Sequence, residues 1–317
     1  MSSEILKEAG SLARQAATRA AWLQWSSLGV GALTADEGTV RFTIDPEALV
    51  LVSLAMLDEE RRLADRLAWW ARVGSRLLSV QRMKVVAEVY PEKVQERLGR
   101  FARSAFEAKD ARWRRYAAGE PLEARGRAGK EVVVPNLSSL PALLLRLRAG
   151  FGVSAKPDVL TFLMGIGDRA ATVQEIERAT GYSGVTVRDA TRDLILARFI
   201  RETHEHPVRY YARREQWTVF LDLGAQAKQS DVPAWRFWKT VFAFLAHVDE
   251  LARSCTEEPG SEYVQSSRAR DVFLRHQSAF INNRIDVPNP GDFRGAAYLV
   301  AFRDTVRALT DSIAQRL

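Results

Sequence analysis

The side chains in this chain best suited to chemistry are arginines. In EKVQERLGRFARSAFEAKDARWRRYA, residues 92–117, Val94, Leu98, Phe101, Ala105 and Ala108 fall on one helical stripe. Arg97, Arg100, Arg103, Lys109, Arg112, Arg114 and Arg115 fill the other side, which predicts one long basic amphipathic helix. Two readings of that face compete. It is either a solvated surface or a set of secondary contacts to a phosphate backbone by Arg97, Arg100, Arg103, Arg112, Arg114 and Arg115. The surrounding charge favours a polyanionic partner: residues 61–130 hold 18 Lys+Arg against 8 Asp+Glu. The whole chain has net charge +7 and a pI near 9.7, so the remainder is net negative.

Enzymatic chemistry has little to work with. There is no GxxxxGK[ST] phosphate loop, and MGIGDRA lies between helical patterns instead of after a strand. VGSRLLS has the Gly-Ser opening of nucleotidyltransferases but no acidic pair following it. The four histidines show no H-x3-H spacing, and no nucleophile with a nearby base can be argued. The sequence therefore predicts no enzyme, no cofactor and no metal. A single cysteine, Cys255, excludes an internal disulfide and a multi-cysteine zinc site, which fits a reducing cytoplasm. The N-terminus is patterned as an amphipathic helix, not a signal peptide, and no later run is long and apolar enough to span a bilayer.

At 317 residues, 47% hydrophobic, the chain can fill at least two cores. The expected fold is mainly α. Residues 1–118 read as a helical N-terminal domain, with a small β-hairpin in VGALTADEGTVRFTI. Asp45 caps a helix with Pro46 in its first position, and PEALVLVSLAMLDEERRLADRLAWWARVG continues it. Another helix follows Ser79 and stops at Pro91. Residues 119–154 read as a linker and a leading helix. QWTVFLDLGAQAKQSDVP is a connector into the helical C-terminal region, 216–317. There Trp235, Trp238, Phe242, Leu245, Val248 and Leu251 form an aromatic stripe. The last helix carries Leu299, Phe302, Val306, Leu309 and Ile313 at a spacing suited to a helix–helix seam, and these two stripes are the expected homodimer contacts.

The centre of the chain is the most legible part. Pro157 opens a helix that Gly165 and Gly167 end. Thr172 and Glu175 have capping-box spacing and start a second helix, which Gly181 ends in a left-handed conformation. Ser183 is an N-cap for a third helix whose Val187, Ala190, Thr191, Leu194 and Ile195 point inward. RFIRET and VRYYAR are β-prone runs joined by HEHP, which makes a hairpin after the third helix.

ATVQEIERATGYSGVTVRDATRDLILARFI with the hairpin RETHEHPVRYYAR resembles the winged helix-turn-helix transcriptional regulators of the broad bacterial ArsR/MarR-like kind. The resemblance covers residues 155–213 only. It departs from the pattern at Thr191, where a large apolar residue is usual, and at Arg198, where a glycine commonly precedes the first wing strand. It implies three helices and a β-hairpin wing over residues 155–215. Ser183, Gly184, Thr186, Arg188, Asp189 and Arg192 would face the major groove of double-stranded DNA, and Arg201, His204, His206 and Arg209 would be the wing contacts. The charge here is nearly balanced, with 10 Lys+Arg and 9 Asp+Glu in residues 155–215. A DNA-binding transcriptional regulator, dimeric and cytoplasmic, is the expected function. An adaptor that docks a protein partner through the same unit is the alternative.

Overall fold

The computed structural model describes residues 2–29, 40–122, 134–213, 217, 232–258, 260–287 and 292–314. Among these the chain is mainly helical, with a single two-stranded antiparallel sheet. No helix among them is long and apolar enough to cross a membrane. Most of the expected hairpin at residues 30–44, the linker core at 123–133 and most of the connector at 214–231 lie outside the described residues.

The first apolar core is built by both ends of the chain. α1 (Ser2–Ser27) buries Ala9, Gly10, Ala13, Ala17, Ala20 and Ala21. These small residues let it lie close along α10 (Trp238–Glu257) and α13 (Gly295–Ala314). The approach is tight enough that a Cβ on Gly10 would fall 2.3 Å from the Ala252 Cβ. α2 (Pro46–Ala55) is buried along nearly its full length. Its first turn is set by Pro46 and by Asp45, whose carboxylate accepts from the Ala48 N–H. The expected long continuation of this helix is interrupted by a 3-10 turn at Met56–Asp58, and α3 (Leu63–Val73) starts afresh. Trp25 meets Trp69 and Trp70 of α3 edge-on, and its indole donates to Ser53 Oγ.

Three sequence expectations change here. The aromatic stripe of α10 and the seam stripe of α13 are buried within this chain: Trp238, Phe242, Leu245, Leu299, Phe302, Val306 and Leu309 are all 0% exposed. They pack against α1, α11 (Glu262–Arg275) and α12 (Ser278–Asn283), so they provide no dimer seam. Each large apolar side chain removed from water in this way contributes about 1.5–3 kcal/mol. The separation of first and last regions also gives way, because both line the same core. The single basic helix of residues 92–117 is divided as well. α5 (Glu92–Glu107) ends where Lys109 takes φ 70°, and a 3-10 turn follows at Ala111–Tyr116.

The second core belongs to residues inserted between these halves. α6 (Leu143–Phe151) straddles both cores, with Leu145 in the first and Leu143 and Leu147 in the second. α7 (Ala155–Gly165), α8 (Val173–Thr180) and α9 (Gly184–Leu196) pack around Val159, Leu163, Ile176, Val187 and Leu194. The strands β1 (Arg201–Glu202) and β2 (Tyr210–Tyr211) follow, with Arg201 opposite Tyr211 and Glu202 opposite Tyr210. Tyr210 also forms a two-bond antiparallel bridge with Ala171, which tacks the hairpin to the segment before α8.

Where the cores meet, five charged side chains are buried together. Arg148 of α6 is held by Glu47 of α2 at 2.6 Å and by Asp158 of α7 at 2.6 Å. Arg82 of α4 (Val80–Ala87) pairs with Asp45 at 2.6 Å and with Glu47. All five are 3% exposed or less.

Candidate nucleic-acid interface

The exposed face of α9 is set by local chemistry at each end. Thr172 and Glu175 satisfy one another's backbone N–H groups, at 3.2 and 2.8 Å, and so fix the start of α8. Gly181 ends α8 at φ 80°, a conformation that carries a steric penalty for any residue with a Cβ. Ser183 then caps α9 by accepting from the Thr186 N–H. Val187, Ala190, Thr191 and Leu194 turn inward. Thr191, the small polar departure, is 1% exposed, and its hydroxyl donates to the Arg188 carbonyl at 3.0 Å, so no unsatisfied group is buried.

Outward stand Ser183, Thr186, Arg188, Asp189 and Arg192, all exposed, with Gly184 half-buried beside them. Arg192 meets Asp189 at 3.3 Å, while Asp193 is taken by Lys156 at 2.7 Å. Pairs this exposed are worth tenths of a kcal/mol and yield readily to a phosphate or a base edge. Arg188 and Arg201 have no ion pair among the described residues. His204 and His206 are exposed at the hairpin turn, and no group of three or more metal-ligating side chains occurs among the described residues. Arg209 is half-buried and committed to Glu175 and the Ala170 carbonyl, both at 3.3 Å.

The second departure, Arg198, takes φ 60°. It ends α9 in the left-handed conformation, where the Cβ clash costs roughly 1–2 kcal/mol. Arg198→Gly is expected to raise stability by about 1 kcal/mol, read as a higher denaturant midpoint at unchanged slope; a lower midpoint would count against strain at this position.

The basic segment is less available than its composition suggests. Arg97 is bound to Asp58 and donates to the Leu54 carbonyl at 2.7 Å. Arg112 is tied to Asp110 at 2.7 Å and to the Ser75 carbonyl at 2.9 Å, and Arg100 donates to the Glu120 carbonyl at 3.2 Å. Of the six, Arg103, Arg114 and Arg115 have neither an ion pair nor a side-chain hydrogen bond among the described residues, and Arg100 has no ion pair among them. α4 stands between the α8–α9 turn and the segment that carries them. Gln81 and Val85 of α4 border the cleft at Gly181, Ser183 and Thr186, whereas Val80, Met83 and Ala87 face Leu98 and Trp113.

Two groups from elsewhere in the fold lie against the α8–α9 turn. Arg82 Nε donates to the Thr180 carbonyl at 2.6 Å. Lys239 comes so near that a Cβ on Gly181 would lie 3.4 Å from its Nζ. Burial and the Arg82 charge, against the pull of Asp45, bring that amine down to about 8. Beneath the turn, burial raises the Asp45 carboxyl, but Arg82 and the Ala48 N–H outweigh it and hold the group below its usual range. Burial prevails at Asp158, which is raised despite Arg148 and Arg82, with Glu47 adding to the rise. Three carboxylates face two guanidiniums, so the carboxylates outnumber the guanidiniums by one.

Arg169 and Arg284 were not singled out from the sequence. Burial and the charge of Arg284 lower Arg169, and Glu175 opposes them. Arg284 comes from the chain's last quarter, so no local pattern could have joined it to Arg169. Comparison of the chain with protein-family models, curated proteins and solved structures returns no match.

Proposed function

We propose that this chain is a DNA-binding transcriptional regulator in which residues 155–213 act as a winged helix-turn-helix. α9 enters the major groove through its N-terminal half, and the β1–β2 hairpin lies along neighbouring phosphates. The observation that supports this best is the division of α9. Its inner face is spent on the core, while Ser183, Thr186, Arg188, Asp189 and Arg192 are left exposed, and the small Ser183 and Gly184 at its start permit close backbone approach. In this reading Arg188 and Arg192 contact base edges, and Arg201 with the hairpin histidines contacts the backbone. A dimer is not part of the proposal, since the stripes that would have formed it are buried.

A mobility-shift titration of the full chain against genomic fragments upstream of its own gene tests this. A discrete complex that weakens with added salt is expected. Arg188→Ala and Arg192→Ala each cost about 1–3 kcal/mol of specific binding per lost base contact. Absence of any discrete complex at moderate salt would sink the regulator reading. A second reading, docking of a protein partner, draws on the near-balanced charge of residues 155–215 and on two exposed apolar side chains of α9, Val185 at 62% and Leu196 at 84%. A specific complex insensitive to Arg188→Ala but lost in Val185→Asp would favour it.

A further inference from the structure

α10 and α11 pack side by side and leave an open groove of about 600 Å³ between them. That size falls within the range of small-molecule sites, roughly 300–1,000 Å³. Leu251 and Val272 supply its apolar surface, and every other side chain that lines it is polar or charged.

The α10 side offers acceptors only. His247 is buried, and its Nε2 meets the Val89 carbonyl at 3.2 Å; a carbonyl can only accept, so Nε2 carries the proton. In the neutral ring this leaves Nδ1 a lone pair, 3.4 Å from a Glu250 carboxylate oxygen, acceptor facing acceptor. The Ser254 hydroxyl donates its proton to the Leu251 carbonyl at 3.0 Å. Glu257 and Glu258 follow at the C-terminus of α10, where the last carbonyls already concentrate negative charge and the final turn has no basic residue. At 1.5 Å per residue, the acceptors from position 247 to position 258 extend over roughly 16 Å.

The α11 side carries Arg268 and Arg275, with Asp271 between them in sequence. Arg268, Asp271, Arg275, Glu257 and Glu258 have neither an ion pair nor a side-chain hydrogen bond among the described residues. Arginines and glutamates therefore line one groove without closing on each other across it. Its four carboxylates against two guanidiniums leave an excess of two negative charges.

We propose that this groove binds an α-amino acid that carries a second ammonium group on its side chain. The carboxylate is met by Arg268 and Arg275. One ammonium donates to His247 Nδ1 and Glu250, the other to Glu257 and Glu258, and the methylene stem lies against Leu251 and Val272. A diamine would leave the guanidiniums unanswered, and a zwitterion with one ammonium would leave half of the acceptor side so. The site is independent of what α9 binds.

L-Lysine, L-norleucine and 1,5-diaminopentane are the probes: norleucine lacks only the side-chain ammonium of lysine, and diaminopentane only its carboxylate. Each is titrated into the full chain by calorimetry. Lysine is expected to bind saturably and at least about tenfold more tightly than either analogue, the factor associated with one hydrogen bond to a charged group. Replacing both arginines, Arg268→Gln with Arg275→Gln, should erase the advantage over diaminopentane and keep the advantage over norleucine. Glu257→Gln with Glu258→Gln should do the reverse. All four side chains are exposed, so these changes leave the core untouched. No saturable binding of lysine to the unaltered chain, or either analogue binding as tightly as lysine, overturns the proposal. So does an advantage over diaminopentane that survives the loss of both arginines.

Discussion

Arg148→Ala lowers the free energy of unfolding by about 3–5 kcal/mol, the range for removing one member of a buried ion pair. The cause is less the lost attraction than what remains behind. Glu47 and Asp158, 0% and 1% exposed, would face each other across the vacated space with only Arg82 to compensate both and Asp45. Arg148 also donates to the Leu77 carbonyl at 3.0 Å, and that acceptor would be orphaned too. Denaturant titration of the variant measures the loss. Combining Arg148→Ala with Glu47→Gln removes one charge of each sign, so the pair should cost clearly less than the sum of the single changes. Additive losses, or a loss under 1 kcal/mol for Arg148→Ala alone, would mean that the five groups do not act as a network.

Acidification from pH 6.5 to 5 destabilises the protein at up to about 1.4 kcal/mol per pH unit through His276 alone. This imidazole is 4% exposed, and burial, with His247 and Arg275 nearby, pulls it down to about 3 from an ordinary 6.5. Its ring packs 4.9 Å from His247 and 6.2 Å from Phe244, and its Nε2 has no partner among the described residues. Because the folded value lies below the unfolded one, the unfolded chain takes up the proton first. Stability present above about pH 6.5 is therefore lost as pH falls toward 3. The window between 6.5 and 5 isolates the effect, since most carboxylates titrate lower. Denaturation of the unaltered chain and of His276→Phe across that window should give a steep and a nearly flat dependence respectively; parallel slopes would exonerate His276.

What could be read from the sequence and what could not divide along one physical line. Signals that act within a few residues were legible: Asp45 with Pro46, Ser183 as an N-cap, the Thr172–Glu175 box, and Gly181 at positive φ. Each is decided by backbone groups three or four positions away. Amphipathic stripes told less, because periodicity reports that a face is covered without naming the cover. The α13 stripe Leu299, Phe302, Val306, Leu309 and Ile313 fits a partner subunit as well as it fits α1. The charged junction was invisible for the opposite reason. Arg82 in VQRMKVV and Arg148 in LLLRLRAGF look like surface arginines, and their carboxylates lie at positions 45, 47 and 158, far off in sequence. The basic run misled in a third way: Arg97 and Arg112 are bound to Asp58 and Asp110, and a net count of charges does not say which arginines are already paired.

The joining of α1 to α10 and α13 governs how the chain must emerge from the ribosome. α1 ends at Ser27 and its partner begins at Trp238. At roughly 5–20 residues per second, the alanine face of α1 stays without its partner for about 10–40 s of synthesis. Within that interval α6 through α9 and their hairpin have all been made, and they can close their own core. The inserted unit is thus complete before α10 and α13, the two helices that cover the alanine face of α1.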